Sequence, residues 1–133
     1  MSNLDEILTL TLKKANDKLK AAKIDLENNL YDDSASRSYY AVYHFISAIL
    51  LTKELSFSSH NQTLGAFNKE FVHQGIFPKN FTKMIYQLFS ARETGDYDIR
   101  SDINKEKAVQ YLDNASIIVA EIHKYLTDQG FIK

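Results

Sequence analysis

The sequence has no cysteine, no tryptophan, one proline and four glycines in 133 residues. Without cysteine there can be no disulfide, no thiolate metal site and no cysteine nucleophile. So few chain breakers exclude a β-sandwich or barrel, which needs them at its many tight turns. Collagen-like and low-complexity classes are excluded as well. Neither sign of charge dominates: 16 Lys and Arg stand against 17 Asp and Glu, a formal net charge of -1. No global basic field would therefore attract nucleic acid or an anionic membrane, and any RNA contact must be local. Long hydrophobic runs are missing too. The most apolar stretch, Tyr39 to Leu51, is interrupted by His44 and Ser47 and is shorter than the roughly 20 residues of a membrane span. The opening MSNLDEILTL carries neither the basic region nor the apolar run of a signal peptide. A cytoplasmic chain with no membrane contact is the expectation, and the lack of cysteine is compatible with it.

What is present is aromatic and helical. The chain has eight Tyr and eight Phe, is 44% hydrophobic and 25% charged, and its length suits one domain spanning residues 1–133. Apolar residues recur at helical spacing in five segments. The first runs from about Asn3 to Asn28, with Leu4, Ile7, Leu8, Leu12, Ala15, Leu19, Ala22 and Leu26 on one stripe. The second runs from about Asp33 to Leu55 with Asp32 or Asp33 as N-cap. Its Tyr40–Leu51 part is apolar almost all round, as befits a central helix. A third, from His60 to His73, would bury Leu64, Phe67 and Phe71, and a fourth, from Pro78 to Glu93, would bury Phe81, Met84, Ile85, Leu88 and Phe89. Thr94 to Asp102 is the least helical stretch, with Gly95 as its turn. The last helix runs from about Ile103 to Thr127. The fold class is all-α, an up-and-down helical bundle of about five helices.

Three constellations could carry chemistry. In Arg37-Ser-Tyr-Tyr-Ala-Val-Tyr-His44, residues seven apart on a helix lie within about 20° of each other. Arg37, Tyr40 and His44 thus share a face. Arg37 with Tyr40 could bind a phosphate or nucleotide and His44 could move a proton; a structural ladder, with Arg37 paired to a carboxylate elsewhere, is the alternative. Arg92-Glu-Thr-Gly-Asp96-Tyr97 gathers a cation, a carboxylate and a phenol at a helix end. Arg92 would contact phosphate with Asp96 orienting it, or the pair would simply brace the loop over a tucked-in Tyr97. Glu70-Phe-Val-His73 is half of a di-iron bundle motif, but such sites need two copies and two further Glu. A solvated helix face explains it better, and no metal or cofactor is expected. His60 stands alone at the start of its helix, as suited to capping or a partner contact as to catalysis.

Together, Arg37-Ser-Tyr39-Tyr40-Ala41-Val-Tyr43-His44, then His60, Phe67, Phe71 and Gly75, then Arg92-x-x-x-Asp96-Tyr97 resemble the HEPN superfamily (higher eukaryotes and prokaryotes nucleotide-binding). The similarity is to its small stand-alone prokaryotic branch, with Arg-x-Tyr-Tyr-Ala-x-Phe-His and Arg-x-x-x-Asp-Tyr signatures, and runs from the second helix to the last. The resemblance implies a helical homodimer encoded beside a minimal nucleotidyltransferase in a toxin–antitoxin or defence pair. Many such toxins are metal-independent ribonucleases with an Arg-x4-6-His motif before the last long helix, and the partner silences related toxins by adenylylating a Tyr beside it. Arg92 matches the motif Arg and Tyr97 is the corresponding acceptor, but no His follows Arg92; Asp96 and Tyr97 stand there instead. An ionised Asp cannot donate a proton as an imidazolium can. Two readings result. In one, Arg92, His44 and Asp96 form a ribonuclease site with His44 supplied by another helix. In the other, the chain is a non-catalytic dimeric interaction or nucleotide-binding module with a degenerate motif.

Overall fold

The computed structural model describes residues 3–133. Five α-helices follow one another: α1 (Asn3–Glu27), α2 (Tyr31–Leu51), α3 (His60–Phe67), α4 (Asn80–Tyr97) and α5 (Lys105–Asp128). A π-helical turn, Asn68–Val72, continues α3. The described residues form no strand, and the fold is the expected all-α bundle. α2 is its centre and packs against α1, α3, α4 and α5. Tyr39, Val42, Phe45, Ile46, Ile49 and Leu50 of α2 are buried in the core. Among the described residues no helix is long and apolar enough to cross a membrane.

The helix ends follow from local chemistry. α1 closes on Asn29 at φ 63°: Leu30 N–H donates to Asp25 O at 2.8 Å and Asn29 N–H to Leu26 O at 3.1 Å. This is a Schellman closure with Asn in the left-handed position. The π turn and α5 end in the same way on Gly75 and Gly130, at φ 77° and 81°. α2 stops at Leu51, earlier than its apolar run suggests, because Glu54 takes φ 59° and Leu55 N–H returns to Leu50 O at 3.0 Å. Ser59 caps α3 by accepting from Gln62 N–H at 3.2 Å, and Asn104 caps α5 by accepting from Lys107 N–H at 2.9 Å.

Three expectations are corrected. Neither Asp32 nor Asp33 caps α2; Leu30 holds that place without a side-chain bond, and both acids lie in the first turn. There they favour the positive helix end, and Asp32 Oδ1 accepts from Ser101 Oγ at 2.6 Å. That bond ties the α4–α5 connection to the start of α2. Gly95 does not turn the chain, since α4 continues through it to Tyr97. A Cβ on Gly95 would sit 2.9 Å from the backbone oxygen of Asp32, so this glycine permits close helix approach. Finally, Ile7 of the predicted α1 stripe is 49% exposed, while Leu8, Leu12, Ala15 and Ala22 are buried.

Gly95→Ala should lower stability. Helix propensity alone favours Ala by about 1 kcal/mol. A clash with a backbone carbonyl cannot be relieved by a rotamer, and overpacking of this kind costs about 1–3 kcal/mol. A net loss in thermal or denaturant unfolding is the expected outcome; a more stable variant would show that the two helix ends separate freely.

Candidate functional site

Arg92 is interior to α4, not at its end, and is 7% exposed. Its guanidinium carbon lies 5.5 Å from the Tyr39 ring centre, 5.6 Å from Tyr40, 5.4 Å from Phe89 and 6.0 Å from Tyr97. Ring faces carry partial negative charge, so this cage attracts a cation that has been taken out of water. The nearest carboxylate, Glu93, is 3.7 Å away and itself exposed. Arg92 Nε is buried and has no hydrogen-bond partner among the described residues.

Two histidines adjoin the cage. His60, at the first turn of α3, is bonded through Nδ1 to the Tyr39 hydroxyl at 2.6 Å. Its ring stacks on Tyr43 at 4.2 Å and lies 6.2 Å from Phe89. Burial first, and then the Arg92 cation, hold its pKa below the usual histidine value, against a small opposing effect of Glu93. Tyr39 is fully buried. Burial pushes its phenol well above its ordinary range despite the neighbouring Arg92, so it remains protonated and able to donate. His44 lies one step further along, its ring 6.3 Å from Tyr40 and 5.8 Å from Tyr43. A continuous band therefore runs from Arg92 through the tyrosines to both imidazoles, across α2, α3 and α4.

Not every expected residue joins it. Arg37 turns to α1, where its Nε is 2.8 Å from Asp25 Oδ2, so the structural alternative for Arg37 is the one adopted. Tyr40 stays with His44, and the proposed Arg37–Tyr40–His44 series is broken at its first member. Asp96 is exposed on α4 and makes no ion pair with Arg92 among the described residues. Tyr97 touches the guanidinium yet is 73% exposed, so it is not tucked beneath the bundle. Glu70 pairs with Lys53 at 3.7 Å, and no group of His, Asp and Glu able to hold a metal ion occurs among the described residues. His60 is the member that sequence spacing did not link to Arg92, because the two meet only when α3 and α4 flank α2. In the sequence it is marked by its place after the Ser58-Ser59 loop and by its part in the HEPN resemblance. A separate groove of about 500 Å³ lies between α4 and α5, lined by Lys83, Tyr86, Gln87 and Lys107 among others. None of the cage residues lines it.

Burial lowers the His44 pKa to about 4, helped by Lys14, Lys18 and His60. A histidine with a depressed folded pKa is protonated more readily in the unfolded chain. Its contribution is therefore intact above about pH 6.5 and is lost progressively as pH falls toward 4. His44→Gln should flatten the stability profile across that window in denaturant titrations. An unchanged acid slope would contradict this placement of the ring.

A family model described as HEPN domain matches residues 9–125. A Thermotoga maritima protein named UPF0332 protein is 34% identical over 128 residues, covering 96% of this chain and 97% of its own. Two Methanocaldococcus jannaschii proteins carry the name "putative toxin". One is 31% identical over 122 residues, covering 92% of this chain and 83% of its own. The other is 31% identical over 126 residues, covering 95% and 93%. With the match of the family model over most of its length and the five-helix bundle, the chain belongs to the HEPN domain family.

Proposed function

We propose that the protein is the toxin of a toxin–antitoxin or defence pair, a homodimer that cleaves RNA without a metal ion. Family membership and the toxin names of two relatives support this reading. The observation that carries it is Arg92: a buried cation in a cage of rings, with Nε unpartnered and an imidazole alongside. Such a group neutralises a phosphodiester, and a nearby imidazole can move the proton that its cleavage requires. Induced expression should arrest growth and degrade RNA, and Arg92→Ala should restore growth at equal protein level. Growth arrest unaltered by Arg92→Ala would remove Arg92 from the activity.

The proposed antitoxin is a minimal nucleotidyltransferase, with Tyr97 as the acceptor. Tyr97 is 73% exposed and also touches Arg92. A nucleotidyl group there would place phosphate beside the guanidinium and occupy it. Co-expression with the partner should add one nucleotidyl mass to the peptide bearing Tyr97 and none to Tyr97→Phe. Modification of a different residue would refute the assignment.

The second reading, a non-catalytic module, draws on the Arg37–Asp25 brace and the absence of a histidine after Arg92. It predicts that Arg92→Ala chiefly lowers stability, because removing one member of a buried polar arrangement disturbs its packing.

A further inference from the structure

The ribonuclease reading leaves open which imidazole serves Arg92. We propose that His60, held in place by the Tyr39 hydroxyl, is the proton-transfer residue of this site; the inference rests on that reading.

The geometry separates the two histidines. His60 shares Tyr39 and Phe89 with Arg92: Tyr39 bonds its Nδ1 at 2.6 Å and lies 5.5 Å from the guanidinium, and Phe89 is 6.2 Å from the imidazole and 5.4 Å from the guanidinium. Among the described residues His44 shares with Arg92 the single ring of Tyr40, at 6.3 Å and 5.6 Å. The His60 ring is also packed across its face. Tyr43 stacks on it at 4.2 Å, and the Tyr43 hydroxyl lies 3.3 Å from Thr63 Oγ1 on the next turn of the same helix. Because Nδ1 is occupied by Tyr39, Nε2 is the working nitrogen. A second ring nitrogen held by a fixed partner sets the tautomer and orientation of the first. A hydroxyl can both donate and accept; in the proposed arrangement Tyr39 accepts from Nδ1–H, the tautomer that leaves Nε2 free to take a proton. The titratable and charged groups around His60 are Tyr39, Tyr40, Tyr43, His44, Arg92 and Glu93.

In the step itself, Nδ1–H donates to the Tyr39 oxygen and Nε2 takes the proton of a ribose 2′-hydroxyl. O2′ bonds to phosphorus and the P–O5′ bond breaks, with Arg92 balancing the charge on the phosphate. The imidazolium then returns its proton to O5′. The products are a 2′,3′-cyclic phosphate and a 5′-hydroxyl, with no water, metal or redox partner consumed. His60 is the catalytic residue and Tyr39 a positioning residue.

The test compares cleavage of a fluorescent single-stranded RNA by purified wild type and by His60→Ala, His60→Gln, Tyr39→Phe, Arg92→Ala and His73→Gln. General acid–base groups are typically worth about 10²–10⁴-fold. His60→Ala and His60→Gln should each lose about that much, and free imidazole should restore part of the loss in His60→Ala. His73→Gln, exposed and remote, should match wild type. Tyr39→Phe should shift the ring-nitrogen resonances of His60 in NMR spectra, reporting a changed tautomer. If His60→Gln cleaves normally while Arg92→Ala does not, the inference falls and the ribonuclease reading stands. If His60→Ala is inactive, imidazole does not rescue it and His60→Gln is active, the role is structural and the inference also falls. If the wild type does not cleave, or Arg92→Ala cleaves as well as wild type, the underlying reading fails first. Should His60→Ala misfold, His60→Gln and the NMR signature of Tyr39→Phe decide the matter.

Discussion

Arg92→Lys should lower RNA cleavage by about 10²–10³-fold, the range expected when one preorganised donor to a developing anion is lost. The substitution keeps the positive charge but removes the planar fork. Four rings lie within about 6 Å of the Arg92 guanidinium. A flat, weakly hydrated guanidinium stacks against such faces, whereas an ammonium is compact, strongly hydrated and costlier to desolvate. Lys would retract toward water and lose both the cage and the planar fork on which the proposed phosphate contact depends. The stability change should be modest by comparison, since the aliphatic stem still covers the rings. Steady-state cleavage at matched concentration, with thermal unfolding of the same samples, checks both halves. Activity within a few-fold of wild type would mean that charge alone suffices and the fork has no role.

Phe71→Ala should be the most destabilising of the substitutions considered, at about 3–5 kcal/mol, the range for a large aromatic removed from a core. Phe71 is fully buried in the π-helical turn. It lies 5.6 Å from Phe67, 6.1 Å from Phe77 and 5.8 Å from Tyr125, and Lys53 Nζ stands 5.4 Å from its ring centre. One side chain thus joins α3, the chain before α4, and the end of α5. Offset and edge-to-face pairs of this kind contribute beyond their buried area. The π turn cannot collapse onto the void without dragging the Gly75 closure with it, so little relaxation offsets the loss. Denaturant unfolding should show a lower midpoint with an unchanged slope. A loss under about 1 kcal/mol would mean that this end of the bundle repacks easily.

The helices were legible because their signals are local. Apolar spacing locates most of each buried face, with Ile7 of α1 the exception, and Asn29, Gly75 and Gly130 mark three closures through the left-handed conformation they permit. Gly95 was misleading for a physical reason. A glycine needed for close approach to Asp32 cannot be told in sequence from one that turns the chain. Arg37 likewise satisfied helical spacing, but its partner Asp25 sits on another helix. The site shows the same division. Arg92, Tyr40 and His44 could be named from spacing and resemblance. The Tyr39–His60 bond could not, since it spans α2 and α3 and depends on their packing. Asp96 is pointed to by its place after Arg92 and by the Arg-x-x-x-Asp-Tyr signature, and in the fold it faces solvent.

Cleavage of single-stranded RNA by the purified protein in excess chelator tests the central claim most directly. The predicted result is cleavage at an undiminished rate, ending in 2′,3′-cyclic phosphate and 5′-hydroxyl termini, and abolished in Arg92→Ala. Intact RNA after prolonged incubation with folded wild-type protein, or cleavage that requires an added metal ion, would contradict it.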